Sequence, residues 1–349
     1  SLLLNLFYMR FSRNISALVC GWGLVALLLG ACSCSASENP SSGGTDPGKQ
    51  DDTEIVTMLK NCVSIKTVQT WKETALADGV TYTKLQTLKS RSDRPATIYV
   101  VKTSADASRA ALKTGCNAPG ADGLIPMVMP STIAEKSNSV NEEVVAVIGG
   151  DFFRWMDDQL ANRHGIDGGC RGPVHHRGEV YQDHFVPQKN WTHQALSFLA
   201  VDKNGKIVIG DAAEYDGVKA DLQECTGGGY RFLRDGKVCK GYDLVDDSGN
   251  YTPLEDSYPF STIGVRADGT IIMMIVDGRN ESVSTGVSYG EAGEIMKSLG
   301  CVNAVMLDGG GSAQLVLKNS NTGKYVLQNK ATDGGQRQMR TFWMITKKK

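Results

Sequence analysis

The chain has 349 residues, with 37 basic and 38 acidic side chains; this near-balance gives no reason to expect nucleic acid or an anionic membrane surface as the main partner. Its 39 glycines cluster in short motifs without a period, which excludes collagen and low-complexity readings. The length suits one large domain or two small ones and is ample for a sizeable core.

The first 31 residues read as an export signal. Arg10 and Arg13 precede the apolar stretch ISALVCGWGLVALLLGA, which is too short and badly flanked for a spanning helix. Leu29-Gly30-Ala31-Cys32 resembles the bacterial lipobox, so Cys32 is the expected lipidation site; ordinary signal cleavage nearby is the alternative. Residues 32–54 lack large apolar side chains and are rich in Ser, Gly, Pro and Asp, as a disordered tether is. Lipid anchoring is then the only expected membrane contact, on the periplasmic or cell-surface side. An oxidising compartment would permit disulfides among Cys62, Cys116, Cys170, Cys225, Cys239 and Cys301. Cys225 and Cys239 flank an expected hairpin and are the pair best placed for one. No spacing of Cys and His suggests zinc.

The folded part is expected at 55–349 as a single domain, since no repeat and no second linker interrupts it. Residues 55–71 fit helix or strand. RPATIYVVKT (94–103) is β-branched and alternating, a strand, whereas 105–115 reads as a short helix or turn. EEVVAVIGG (142–150) reads as a buried strand. Residues 194–211 form a hairpin turning at Lys203-Asn204-Gly205, and 261–279 another at Asp268-Gly269. SYGEAGEIMKSLG (288–300) is a helix with a capping box, Ser288 to Glu291, and a C-terminal Gly300. Strands follow at 302–308, 312–317 and 339–346. Many hairpins and few helices predict an α+β fold: a mostly antiparallel or mixed twisted sheet with a few covering helices.

VMLDGGGSAQLV (305–316) sets a carboxylate and three glycines between two strands. Glycines permit positive φ and bare amides, which form an anion-binding concavity; a plain hairpin turn is the alternative. It is not a nucleotide P-loop, because the lysine is absent and a strand follows. Two more strand ends carry similar chemistry, at Asp151 and at Asp277 with Arg279. Of five histidines, His175 and His176 would face opposite ways in a strand, and His175 is assigned to the pocket. No metal and no cofactor is called for. Arg340 is expected on a solvent-facing strand position.

These elements together resemble the phosphodiester glycosidase domain family. The family's N-G-G-F-F is similar to Gly149-Gly150-Asp151-Phe152-Phe153, its P-x-G to Pro173–Gly178, and its G-G-G/P-x-L-x-x-G to Gly227–Gly236. The block from Ile263 to Ser312, with V-D-G-R, S-x-G and L-D-G-G-G-S, matches nearly throughout, and R-x-V/M is similar to Arg337-Gln338-Met339. The resemblance spans roughly residues 75 to 349. Gly149 stands where the family has Asn, and Phe260-Ser261 where it has Arg-Thr.

The resemblance implies hydrolysis of a sugar-1-phosphodiester, of the N-acetylglucosamine type, at the anomeric C–O bond. Carboxylates would stabilise an oxocarbenium-like transition state and activate water. The implied catalytic residues are Asp308, Asp151, Asp277 and Glu291, although Glu291 is fully explained as a cap. The implied phosphate and substrate contacts are Arg279, Gly309, Gly310, Gly311, Ser312, Ser284, Arg337 and His175. The partner is a small sugar phosphate or glycan. Two rival readings share the cleft: a non-catalytic carbohydrate-binding lipoprotein, and a phosphoesterase that cleaves P–O.

Overall fold

The computed structural model describes residues 51–106, 108–154, 169–187, 191–239 and 257–349, with the backbone alone at 244–245 and 251–252. The signal, most of the tether, Cys32 and His164 lie outside the described residues. The undecided stretch 55–71 divides into a helix, α1 (Glu54–Lys60), and the start of β1 (Ile65–Ala77). Then come β2 (Val80–Lys89), β3 (Pro95–Thr103), β4 (Ala110–Cys116), α2 (Pro130–Ser137) and β5 (Glu142–Gly149). A middle group follows: β6 (Val174–His176), β7 (Glu179–Gln182), β8 (Ser197–Asp202), β9 (Ile207–Asp211) and β10 (Leu222–Gly228). Short strands β11 (Leu233–Arg234), β12 (Lys237–Val238), β13 (Leu244–Val245) and β14 (Tyr251–Thr252) lead to β15 (Phe260–Arg266) and β16 (Ile271–Val276). The chain ends with α3 (Tyr289–Ser298), β17 (Cys301–Met306), β18 (Leu315–Lys318), β19 (Tyr325–Leu327) and β20 (Thr341–Lys348).

The expected sheet proves to be three principal sheets. One has eight strands, in the order β1-β2-β3-β16-β15-β17-β11-β12; two have five, β7-β6-β10-β8-β9 and β19-β18-β5-β20-β4. The pairings are antiparallel. The central strands of the large sheet are buried on both faces, so β16 reads IIMMIV without alternation. Ile272, Met274 and Val276 pack with Ile295 and Met296 of α3 and Leu59 of α1. Ile271, Met273 and Ile275 face the other way, with Ile148 of β5, Leu199 of β8 and Trp343 of β20. Beyond β5 and β20 a third layer packs Ile133 and Ala134 of α2. Helices therefore cover the outer faces of stacked sheets, the arrangement an α+β reading anticipates.

Three expectations fail in whole or in part. Of the stretch 105–115 only the start is a turn, with the Arg109 N–H on Asp106 O at 3.0 Å; the rest is β4, which pairs with β20 and buries Ala110, Leu112, Thr114 and Cys116. Residues 225–239 hold a shorter hairpin than expected, β11–β12, with Leu233 opposite Val238. β10 stays in a five-stranded sheet while β11 crosses to the eight-stranded one. Cys225 packs with Phe198 and Tyr215, and Cys239 lies against the α1–α3 core, so both are free thiols and the disulfide is not formed. Arg340 is not solvent-facing; it is buried and its guanidinium donates to the Ile125 and Arg154 carbonyls.

Candidate active site

The carboxyl ends of β5 and β17 meet, although the strands belong to different sheets. The Asp308 N–H donates to Gly150 O at 3.0 Å, and the Asp151 N–H to Thr341 Oγ1 at 3.0 Å. This junction sets Asp151 and Asp308 side by side. The Asp151 carboxyl is buried; its Oδ2 accepts the N–H groups of Arg171 (2.8 Å) and Gly172 (2.6 Å). Its Oδ1 is buried with no partner among the described residues. Asp308 is half-buried, with Ser312 and the Gly309 amide beside its carboxyl.

Burial dominates the titration of both groups. It pushes Asp151 up to about 7 against the pull of the Gly172 and Arg171 amides and the Arg171 guanidinium, and the Asp308 charge raises it further. Burial likewise pushes Asp308 up to about 7 against Ser312, Arg337 and the Gly309 amide. Two adjoining carboxyls that each make ionisation of the other dearer share protons near neutrality. That is the condition for one to act as a base or nucleophile while the other holds a proton.

The glycine loop is a 3₁₀ turn, Gly310–Ser312, which delays the expected strand until Leu315. Gly310 has φ +56°, and its N–H donates to Pro259 O at 3.1 Å. With the Gly310 N–H on Pro259 O, the three-amide cradle is reduced to the Gly309 and Gly311 amides at most. A Cβ on Gly311 would collide with the Arg337 guanidinium. Arg337 grips Asp333 with Nε and Nη2, both at 2.5 Å, and its Nη1 donates to Ser312 Oγ at 3.3 Å. Arg279 stands over Gly310, 3.3 Å from where a Cβ would lie. It is exposed, lacks a partner among the described residues and has φ +59°, a strained conformation for a non-glycine residue.

Arg279 divides two cavities. The smaller, about 380 Å³, runs between Asp277–Ser284 and Lys330–Asp333, next to the Arg337 pair. The larger, about 670 Å³, reaches Lys89 and Glu291 at the N-terminus of α3. Neither is lined by Asp151 or Asp308; the smaller is lined by Asp333, the partner of Arg337, whose charge pulls the Asp308 pKa down.

The family model for phosphodiester glycosidases matches residues 141–346, more than half of the chain. The chain belongs to the phosphodiester glycosidase family. Its fold is similar to that of the zebrafish N-acetylglucosamine-1-phosphodiester alpha-N-acetylglucosaminidase catalytic domain, auto-inhibited by its pro-peptide. The TM-score is 0.54 at 16% identity, over 83% of this chain and 92% of that one. It is also similar to a hypothetical protein from Synechocystis, with a TM-score of 0.52 at 14% identity over 80% and 64%. Among curated proteins, 87 residues are 38% identical to the SPbeta prophage-derived uncharacterized protein YomE of Bacillus subtilis (strain 168). They are 25% of this chain and only 12% of that protein's length.

The family block thus gathers Asp308, Ser312, Gly311, Arg337 and Arg279 at one place, with Asp151 joining from β5. Other candidates lie outside this cluster, although Asp277 and Ser284 line the smaller cavity and Glu291 the larger. Asp277 is buried, and its oxygens accept Tyr99 OH (2.8 Å), Asn329 Nδ2 (3.0 Å) and the Lys330 N–H (3.2 Å), so its carboxylate clamps β3 to the 329–330 loop. Ser284 is a brace: its Oγ donates to Asp277 O (2.6 Å) and accepts the Thr97 N–H (2.9 Å). Glu291 completes the capping box, accepting the Ser288 N–H at 2.9 Å, and pairs with buried Lys89 at 3.3 Å. His175 is a correction. It is buried on β6 with Nε2 2.6 Å from Tyr215 OH and its ring edge-on to Tyr215, and it lines neither cavity. Phe260 fills the core edge-on to Phe232 and Tyr289. Sequence reasoning missed the Arg171 and Gly172 amides and the Asp333–Arg337 clamp. The R-G-P run before β6 was a signal for the first; the second had only an i,i+4 charge pair.

Proposed function

We propose that the protein hydrolyses a sugar-1-phosphodiester of the N-acetylglucosamine type at the anomeric C–O bond, giving free sugar and a phosphomonoester. The observation that carries this is the Asp151–Asp308 pair, poised near neutrality beside Arg337 and Arg279. Asp308 is the reachable carboxyl. It meets the anomeric centre, where it stabilises positive charge or activates water. Asp151 is a positioning residue: buried behind Asp308, it sets that group's charge state. The phosphodiester monoanion lies against Arg279 and the Gly311 N–H, where a guanidinium fork and an amide suit its oxygens. Phosphate is a good leaving group once so held, so a strong general acid is not required. The sugar occupies the smaller cavity on the Arg337 side.

The test is hydrolysis in oxygen-18 water. Label in the reducing sugar is expected. Label in the phosphomonoester would assign P–O cleavage, and absence of turnover would leave a binding protein.

A further inference from the structure

Arg279 owes its place over Gly310 to a short loop that is fixed at both ends. At one end the Asp277 N–H donates to Thr97 O (3.1 Å), and the Asp277 carboxylate holds Tyr99, Asn329 and the Lys330 N–H. At the other end the Ser284 hydroxyl donates to Asp277 O (2.6 Å) and accepts the Thr97 N–H (2.9 Å), so both ends are carried by β3. Pro259 joins this loop to the glycine turn. A Cβ on Gly278 would lie 2.6 Å from Pro259 N, and Pro259 O accepts the Gly310 N–H. Between the fixed ends the chain must reverse, and Arg279 takes φ +59° to do so. A residue with a Cβ keeps that conformation only where its surroundings impose it.

Asn280 supplies the constraint. Its Oδ1 accepts the N–H groups of Ser282 and Val283, each at 3.2 Å, and the Ser282 hydroxyl at 3.0 Å. Its backbone N–H donates to Ser284 O (3.0 Å), and its own carbonyl accepts the Ser284 N–H (2.8 Å). An asparagine amide closes a turn in this way by standing in for a backbone carbonyl. Asn280 is exposed and lies outside the core, so its side-chain bonds serve the shape of the loop.

We propose that Asn280 is a positioning residue for phosphate binding: its side chain closes the 280–284 turn and thereby holds Arg279 in the conformation that aims the guanidinium at Gly310. The inference rests on the proposed placement of the substrate phosphate at Arg279. An incoming anion then meets a guanidinium already in place, and the strain at Arg279 is sustained by the folded loop rather than charged against binding. Asn280 also lines the smaller cavity, so a direct contact between its amide and the sugar is the rival account.

A double-substitution experiment on the full chain separates the two. The probe is the methyl phosphodiester of N-acetylglucosamine 1-phosphate, titrated calorimetrically into the Asp308→Asn protein so that binding is read without turnover. Asn280→Ala is expected to weaken binding about threefold to tenfold, the range for lost local hydrogen bonds, and to have no effect once Arg279 is alanine. With Asp308 intact, Asn280→Ala should raise KM and leave kcat unchanged. Without any ligand, Arg279→Gly should melt at a higher temperature than Arg279→Ala, the reverse of the usual order, because glycine alone is at ease at this φ. Unchanged affinity in Asn280→Ala overturns the proposal. So does a loss that persists in the Arg279→Ala background, which would mean a direct contact, or an Arg279→Gly protein that melts no higher than Arg279→Ala. If Arg279→Ala itself binds the diester as well as its parent does, or the parent binds none, the phosphate placement falls and the role of Asn280 with it. Binding weakened by Arg279→Ala but unmoved by Asn280→Ala removes Asn280 alone and leaves the phosphate placement standing.

Discussion

Asp151 and Arg279 illustrate two ways in which a side chain acquires a role from its surroundings. Asp151 is held by two amides and starved of solvent, so its influence on Asp308 is electrostatic. Asp151→Asn keeps an acceptor for the Arg171 and Gly172 N–H groups but removes the neighbouring charge. The acid limb of the kcat/KM profile, expected near pH 7 in the wild type because Asp308 must ionise, should then move to lower pH. An unmoved limb would dissociate the two groups. The same substitution has a sign in stability. The folded-state pKa of Asp151 is raised from 3.8 to about 7, so its stabilising contribution is complete below the unfolded value and is lost as pH rises through about 7. Denaturant unfolding of wild type against Asp151→Asn should therefore favour the wild type increasingly from pH 7 down to 4, on the order of a few kcal/mol. Arg279 is the opposite case, exposed and without a partner among the described residues. Arg279→Ala should weaken substrate binding by about 1.5–3 kcal/mol with little change in thermal midpoint, and Arg279→Lys should recover only part, since the fork is lost. Unchanged KM in both would take Arg279 out of the phosphate contact.

Among the elements, the 308–312 turn couples conformation to chemistry. Its third glycine exists to let Arg337 pass. Gly311→Ala should displace the guanidinium from Ser312, lowering kcat/KM by at least about tenfold at a stability cost of about 1–3 kcal/mol, the range for overpacking. Wild-type kinetics in this variant would mean that Arg337 is not needed at the site. The elements also show what the sequence could and could not say. α3 was legible in full, because its capping box and Gly300, which has φ +84°, are local signals. The β15–β16 hairpin was legible for the same reason, turning where Asp268-Gly269 stand. β4 was not: ADASRAALKTG favours a helix locally, and its pairing with β20, more than two hundred residues away, decides otherwise. The same holds in the site. Asp308, Gly311 and Arg279 could be read from one block, but the duties of Asp277 depend on Tyr99 and Asn329, and those of His175 on Tyr215, from distant parts of the chain.

At the scale of the whole molecule, stacking of the sheets brings the ends of β5 and β17 together, and this is what makes one site of two separate motifs. Among the described residues no helix is long and apolar enough to cross a membrane. We propose that attachment, if the lipobox is used, is through Cys32. Cys32→Ser should shift the protein from the detergent phase to the aqueous phase of fractionated cells, and unchanged partitioning would rule out lipidation there. The most direct test of the site itself is turnover of a sugar-1-phosphodiester by Asp308→Asn, measured with the thermal midpoint on the same preparation. A nearly isosteric amide should leave the midpoint close to that of the wild type, while most hydrolysis is lost. Wild-type turnover, or a loss of activity that merely follows a collapsed midpoint, would show that the Asp308 loop is a structural turn and that the chemistry lies elsewhere.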